Sequence, residues 1–148
     1  MDIIVDIDGT ISDCRNRLHY VYESPRNWEQ FFAELIDDAP IKPIINLINS
    51  FYNPDNCEQN IILCTGRPEE HRTATVAWIR FHGVAYDKLY MRKKGDYRGD
   101  SIIKKELLQQ MRNDGFNPEL VIDDRQSVVD MWRKEGLICL QMAFYTEK

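Results

Sequence analysis

Short apolar runs of strand length alternate with helix-period stretches along the whole chain, and few folds other than a parallel sheet built from right-handed βαβ crossovers accept that pattern. The strand candidates are Ile3 to Ile7, Asn60 to Cys64, Lys88 to Met91, Leu120 to Ile122 and Leu137 to Gln141. Three of them are nearly continuously apolar, as strands covered on both faces require. Between them, Trp28, Phe31, Phe32 and Leu35 recur at helical spacing behind Asn27 as N-cap, with Gln30 three residues on, and Pro40 bounds that helix. Further helices are expected from about Ile44 to Phe51, through Val76, Ala77 and Ile79 before Gly83, from near Asp100 through Ile103, Leu107 and Met111 to a C-cap at Gly115, and through Val128, Val129 and Trp132 to Gly136. Only Phe51 to Gln59 is ambiguous, and there Asn53-Pro54-Asp55-Asn56 spells a surface turn. With 148 residues and no repeat, low-complexity segment or linker, the expectation is one α/β domain over 1–148: a three-layer α/β/α sandwich around one five-stranded sheet.

Charge and composition narrow the setting. The formal net charge of −5 argues against a chain that coats nucleic acid nonspecifically, although it permits a local basic site. No run approaches the roughly 20 apolar residues that span a bilayer. The start Met-Asp-Ile-Ile-Val-Asp carries carboxylates where a secretory signal carries basic residues, so a cytoplasmic location is expected. Cys14, Cys57, Cys64 and Cys139 form no CxxC pair and are read as reduced.

In open parallel sheets ligands bind beyond the carboxyl ends of the strands. Here the first strand ends in Asp6-Ile7-Asp8-Gly9-Thr10, the second in Thr65-Gly66-Arg67 and the fourth in Asp123-Asp124-Arg125. Four carboxylates converging at one sheet end would repel strongly, and a divalent cation resolves that repulsion; hard oxygen donors without matching His or Cys favour Mg²⁺ over Zn²⁺. The two-residue spacing puts Asp6 and Asp8 on the same side of an extended chain, and Gly9 lets the backbone turn away. One carboxylate can attack phosphorus while the other shuttles protons. Thr65 offers a hydroxyl to phosphoryl oxygens, and Lys104 offers charge to the nucleophile and the transferring group. Asp100, four residues before Lys104 on the same helix face, either caps the helix or holds the ammonium.

Asp6-Ile7-Asp8-Gly9-Thr10, Thr65, Lys104 and Asp123-Asp124, in that order, resemble the four motifs of the haloacid dehalogenase superfamily over essentially the entire chain. The resemblance implies a Rossmann-like sheet ordered 5-4-1-2-3, with Asp6 as nucleophile and Asp8 as general acid and base. It also implies Mg²⁺ held by Asp6, the main-chain carbonyl of Asp8 and one of Asp123 and Asp124. Within the superfamily, Arg98-Gly99-Asp100-Ser101-Ile102-Ile103-Lys104-Lys105-Glu106 and Ile122 through Arg133 are similar to the 3′-phosphatase half of bacteriophage polynucleotide kinase and phosphatase. Arg17 and Arg67 fall where that family carries substrate-binding arginines. No GxxxxGK[ST] loop occurs, so no 5′-kinase activity is expected of this chain.

The expected activity is therefore a Mg²⁺-dependent phosphomonoesterase that removes 3′-phosphates from DNA or RNA ends. Asp6, Asp8, Thr65 and Lys104 are its catalytic set; Gly66, Arg67, Arg17 and Asp100 bind substrate or orient Lys104; Asp6, Asp8, Asp123 and Asp124 serve the metal. A nucleotidase or general small-molecule phosphatase shares the core motifs. An inactive phosphate-binding module is the remaining alternative, against which the intact nucleophile, acid and lysine count. His19, His71 and His82 lack metal-ligand spacing and are read as surface or helix-end residues. The stripe from Trp28 to Leu35 is read as core. Little chain is left for a cap, and an uncovered site suits a polymer end, with Arg15, Arg17, Arg67 and Arg92-Lys93-Lys94 meeting backbone phosphates.

Overall fold

The structure, a computed structural model, describes residues 1–143. Strand β1 (Asp2–Val5) is followed by two short antiparallel strands, β2 (Ser12–Asp13) and β3 (Ala39–Pro40). Between β2 and β3 runs a helical flap made of a 3-10 turn at Arg15–Arg17, helix α1 (His19–Tyr22), helix α2 (Trp28–Ala33) and a second 3-10 turn at Leu35–Asp37. The chain continues through α3 (Lys42–Phe51), β4 (Ile61–Pro68), α4 (Arg72–Phe81), β5 (Lys88–Arg92), α5 (Asp100–Asn113), β6 (Pro118–Asp123), α6 (Gln126–Lys134) and β7 (Ile138–Gln141). The five long-range strands pair in the order β5-β4-β1-β6-β7, all parallel. This is the order the family resemblance implies.

Alternation along the strands fixes the layers. Ile3 and Val5 point to one face, where Ile45 and Ile48 of α3 and Trp78 and Ile79 of α4 cover them. Ile4, Ile62 and Cys64 point to the other, against Leu108 and Met111 of α5 and Val128 and Trp132 of α6. Asn27 caps α2 as its position foretold, its Oδ1 accepting the Gln30 N–H at 3.0 Å. All four cysteines are free. Among the described residues no helix is long and apolar enough to cross a membrane.

Two departures shape the site. The β1 ladder stops at Val5 rather than Ile7, although the Asp6 N–H still donates to the Ile122 carbonyl at 3.0 Å. Beyond it the Ile7 carbonyl accepts from the N–H groups of Thr10, Ile11 and Ser12 in a tight turn where Gly9 takes φ +86°. Asp6 and Asp8 thus stand clear of the ladder. The flap is the second departure: its strands have two residues and α1 has four, too short for hydrophobic periodicity to register.

Candidate active site

The carboxyl ends of β1, β4 and β6 bring the expected residues to one place. Lys104, carried by α5 and 3% exposed, donates to Asp6 Oδ1 and to Asp123 Oδ2, both at 2.8 Å. Thr10 donates its hydroxyl to the other Asp6 oxygen at 3.0 Å. Asp123 is anchored further: Trp132 Nε1 donates to its Oδ2 at 3.0 Å and the Asp124 N–H to its Oδ1 at 2.8 Å. The Asp124 carboxylate instead lies against Gly9, with an oxygen 2.1 Å from where a Cβ on that glycine would sit.

Asp6, Asp123 and Asp124 each offer an oxygen within 4.8 Å of the others. Burial, and then the charge of Asp123, push the Asp6 carboxyl well above its ordinary range, with Lys104 offsetting only part. Burial and Asp123 likewise push Asp124 up to about 6. Three clustered carboxylates that one ammonium leaves undercompensated form a donor set that fits a small, hard divalent cation.

Asp8 has the opposite environment. Arg67 grips both of its oxygens, Nη2 to Oδ1 at 2.7 Å and Nε to Oδ2 at 3.0 Å, and Arg17 Nη2 reaches Oδ1 at 2.6 Å. Burial alone would raise its pKa, but the guanidinium groups of Arg67 and Arg17 outweigh it and hold Asp8 well below the usual carboxylate range. Asp38, which sequence reasoning passed over, completes the clamp. Buried at 3% exposure, it accepts Arg17 Nε at 2.7 Å, Arg17 Nη2 at 2.6 Å and the Ser12 hydroxyl at 2.5 Å. Its position in the short turn before β3 carried no motif that could have flagged it.

Four expectations change. Arg17 and Arg67 are fully buried; Arg17 also donates to the Phe31 carbonyl at 2.9 Å and Arg67 to the Thr75 hydroxyl at 3.2 Å. With no solvent-exposed surface, both guanidinium groups are turned onto Asp8. Asp100 neither caps α5 with its side chain nor bonds Lys104: its carboxylate accepts from Arg92 and from Arg125 at 2.7 Å. Thr65 is buried, with its hydroxyl accepting the Arg67 N–H at 3.2 Å. Of the Arg92-Lys93-Lys94 run, Arg92 turns inward to the carbonyls of Gly66, Asp96 and Arg98, and only the lysines face solvent. A Cβ on Gly66 would lie 2.5 Å from an Asp100 oxygen, so a side chain there would displace the carboxylate that Arg92 and Arg125 hold.

Above the carboxylates opens a cavity of about 390 Å³. The flap forms one side of it with Tyr22, Trp28, Phe31 and Phe32, and Arg92, Asp100 and Arg125 contribute to the other. Phe31 and Leu35 are core as expected, but Trp28 is 45% exposed and borders the cavity.

A five-stranded parallel sheet in this order, with paired aspartates after its central strand and a buried lysine between them and a third carboxylate, defines the haloacid dehalogenase class of phosphatases. A hydrolase of that class from Streptococcus pneumoniae superposes with TM-score 0.63 at 12% identity, over 97% of this chain and 87% of its own. The family profile "Polynucleotide kinase PNKP phosphatase domain" matches residues 1–145, and the chain belongs to that family. A chain of the Pnkp1/Rnl/Hen1 complex is 31% identical with TM-score 0.77, covering 97% of this chain and 46% of that one. A protein of Autographa californica nuclear polyhedrosis virus, assigned as a bifunctional polynucleotide kinase/RNA ligase, is 26% identical over 133 residues, 88% of this chain and 17% of the viral one. The chain thus spans less than half the length of these two relatives.

Proposed function

We propose that this chain is a polynucleotide 3′-phosphatase working through an aspartyl-phosphate on Asp6. The observation that carries the reading is the contrast between two carboxylates two residues apart. Asp6 is held by Lys104 and Thr10 beside Asp123 and Asp124, whereas Asp8 is held by two arginines and stays ionised. Different environments give paired carboxylates different roles.

In this reading Asp6 attacks the phosphorus, the P–O bond to the 3′-oxygen breaks, and Asp8 delivers a proton to that oxygen. Because Asp8 rests ionised, the proton comes with the substrate, whose phosphomonoester monoanion carries one. Asp8 then takes a proton from the water that opens the aspartyl-phosphate. Lys104 orients Asp6 throughout and offers charge to the phosphoryl oxygens as they leave. Mg²⁺ would be held by Asp6 and Asp124 with Asp123 behind them, and when bound it supplies charge neutralisation for the phosphoryl group. The Asp123 carboxylate already accepts three protein hydrogen bonds, from Lys104, Trp132 and the Asp124 N–H, one more than Asp6, which favours Asp124 as the direct ligand beside Asp6.

Family membership supports a polynucleotide over a free nucleotide; a second structure of the Pnkp1/Rnl/Hen1 assembly names it an RNA repair complex, and that name and the RNA ligase of the viral relative favour RNA among the ends. A panel of 3′-phosphorylated oligonucleotides, 5′-phosphorylated oligonucleotides and free 3′- and 5′-nucleotides tests the reading. The 3′-phosphorylated oligonucleotides are expected to give the highest kcat/KM, with KM rising as salt is added. Equal turnover of all four classes without salt sensitivity would replace it with a general phosphatase.

A further inference from the structure

The two sides of the cavity differ in what they have left to offer a ligand. On the polar side, Arg92 spends its donors on three carbonyls and Asp100, while Arg125, 42% exposed, gives one N–H to the same Asp100 and leaves the rest of its guanidinium to meet a phosphate. On the flap side, Phe31 is buried, with the Arg17 guanidinium 4.3 Å from its ring centroid, and so belongs to the core beneath the site. Trp28 is different. It remains 45% exposed at the edge of a concave site, although an indole gains more by burial than almost any side chain. Its ring lies one turn from Phe32, with the planes 23° apart and the centroids at 6.0 Å. Phe32 in turn stacks on His71 at 5.1 Å and 28°. The three rings therefore form a stacked tier from the flap to the start of α4, of which Trp28 and Phe32 border the same cavity as Asp6 and Asp8.

Resting on the phosphatase reading above, we propose that this tier seats the nucleobase of the 3′-terminal nucleotide, with Trp28 as its main stacking surface. A ligand whose phosphate reaches Asp6 places its next groups within the cavity, where the flap exposes the rings of Trp28 and Tyr22 beside Arg26. A flat π-face matches that surface whatever the base, so the site tolerates sequence while requiring a base. The helical flap is then more than a cover over the catalytic carboxylates. One and the same segment supplies Arg17 to hold Asp8 and Trp28 to hold the base, which couples base binding to the geometry of the proton carrier.

The test compares matched substrates with and without a terminal base: oligonucleotides ending in a 3′-phosphorylated nucleoside or in a 3′-phosphorylated abasic residue, and 3′-nucleotides or the sugar phosphates lacking the base. The wild type is expected to favour base-bearing substrates in kcat/KM by roughly 5- to 150-fold, the range that removing one base stack spans. Trp28→Ala should bring that ratio close to one, and Trp28→Phe should keep most of it. Binding is read separately by fluorescence in Asp6→Asn protein, because Trp78 and Trp132 are buried and Trp28 alone of the three tryptophans meets solvent. Base-bearing oligonucleotides should quench that emission, and abasic ones should not. A wild-type ratio near one, or a ratio that survives Trp28→Ala, overturns the base seat. Oligonucleotides hydrolysed without base preference would reject the seat and leave the polynucleotide reading standing. Oligonucleotides left unhydrolysed, with a Trp28-dependent base preference among the 3′-nucleotides, would do the reverse.

Discussion

Replacing Arg17 by alanine separates a clamp on Asp8 from a hand on the substrate. The side chain is fully buried and donates at 2.7 and 2.6 Å to Asp38, at 2.6 Å to Asp8 and at 2.9 Å to the Phe31 carbonyl. Its loss leaves Asp38 buried with only the Ser12 hydroxyl at 2.5 Å and the Arg67 guanidinium at 3.7 Å. Breaking a buried ion pair from one side typically costs about 3–5 kcal/mol, against a total of roughly 5–15 kcal/mol for a domain. For a chain of this size that corresponds to a fall in Tm of roughly 6–20 °C. Urea denaturation of Arg17→Ala should show that loss with little change in m value. Arg17→Met combined with Asp38→Asn should recover part of the stability, since the stranded charge is gone, yet not the activity, since Asp8 still lacks a donor. In the folded variant kcat should fall more than KM rises. A destabilisation below about 1 kcal/mol, with kcat unchanged and KM raised, would mean that Arg17 reaches the substrate instead, and the clamp would be refuted.

Three shorter expectations follow from the same geometry. Asp6→Asn should abolish turnover while leaving far-UV circular dichroism unchanged, because the amide matches the carboxylate in shape but cannot form the phosphoenzyme; substantial residual activity would count against Asp6. The Asp8 carboxyl is held below its unfolded value, so its contribution to stability is full above about pH 4 and is lost as pH falls toward the folded pKa; urea titrations between pH 2 and 5 should therefore show a shallower acid slope in Asp8→Asn than in the wild type. Gly9→Ala must place a Cβ 2.1 Å from an Asp124 oxygen at a φ of +86°, so calorimetric Mg²⁺ affinity and kcat should both drop sharply, and wild-type values for both would refute the assigned packing.

The elements that sequence made legible are those whose pattern repeats. All five sheet strands were readable because apolar runs end in polar, chemistry-bearing turns; the aspartates and Thr65 fall at those ends and Lys104 on the helix between, and the strand order came only with the family resemblance these residues carry. Of the flap only α2 was readable, since β2, β3 and α1 are shorter than any periodicity and their placement depends on Asp38, Arg17 and Asp8 meeting in three dimensions. For the same reason, spacing could place Arg17 and Arg67 near the site but not say which way they face: an arginine is usually solvated, and only the half-buried Asp8 together with the buried Asp38 makes burial of both favourable. Asp100 shows the limit of helix-face arguments. It shares a face with Lys104, yet Arg92 and Arg125, from other elements, take its carboxylate.

The central claim is that Asp6 accepts a phosphoryl group from a polynucleotide 3′ end. Rapid acid quench of the protein mixed with Mg²⁺ and an oligonucleotide carrying a radiolabelled 3′-phosphate, followed by peptide mapping, measures it directly. Label is expected on the peptide containing Asp6, from the 3′-labelled and not the 5′-labelled oligonucleotide, and absent in Asp6→Asn. Release of phosphate with no label on that peptide, or equal labelling from both ends, would contradict it.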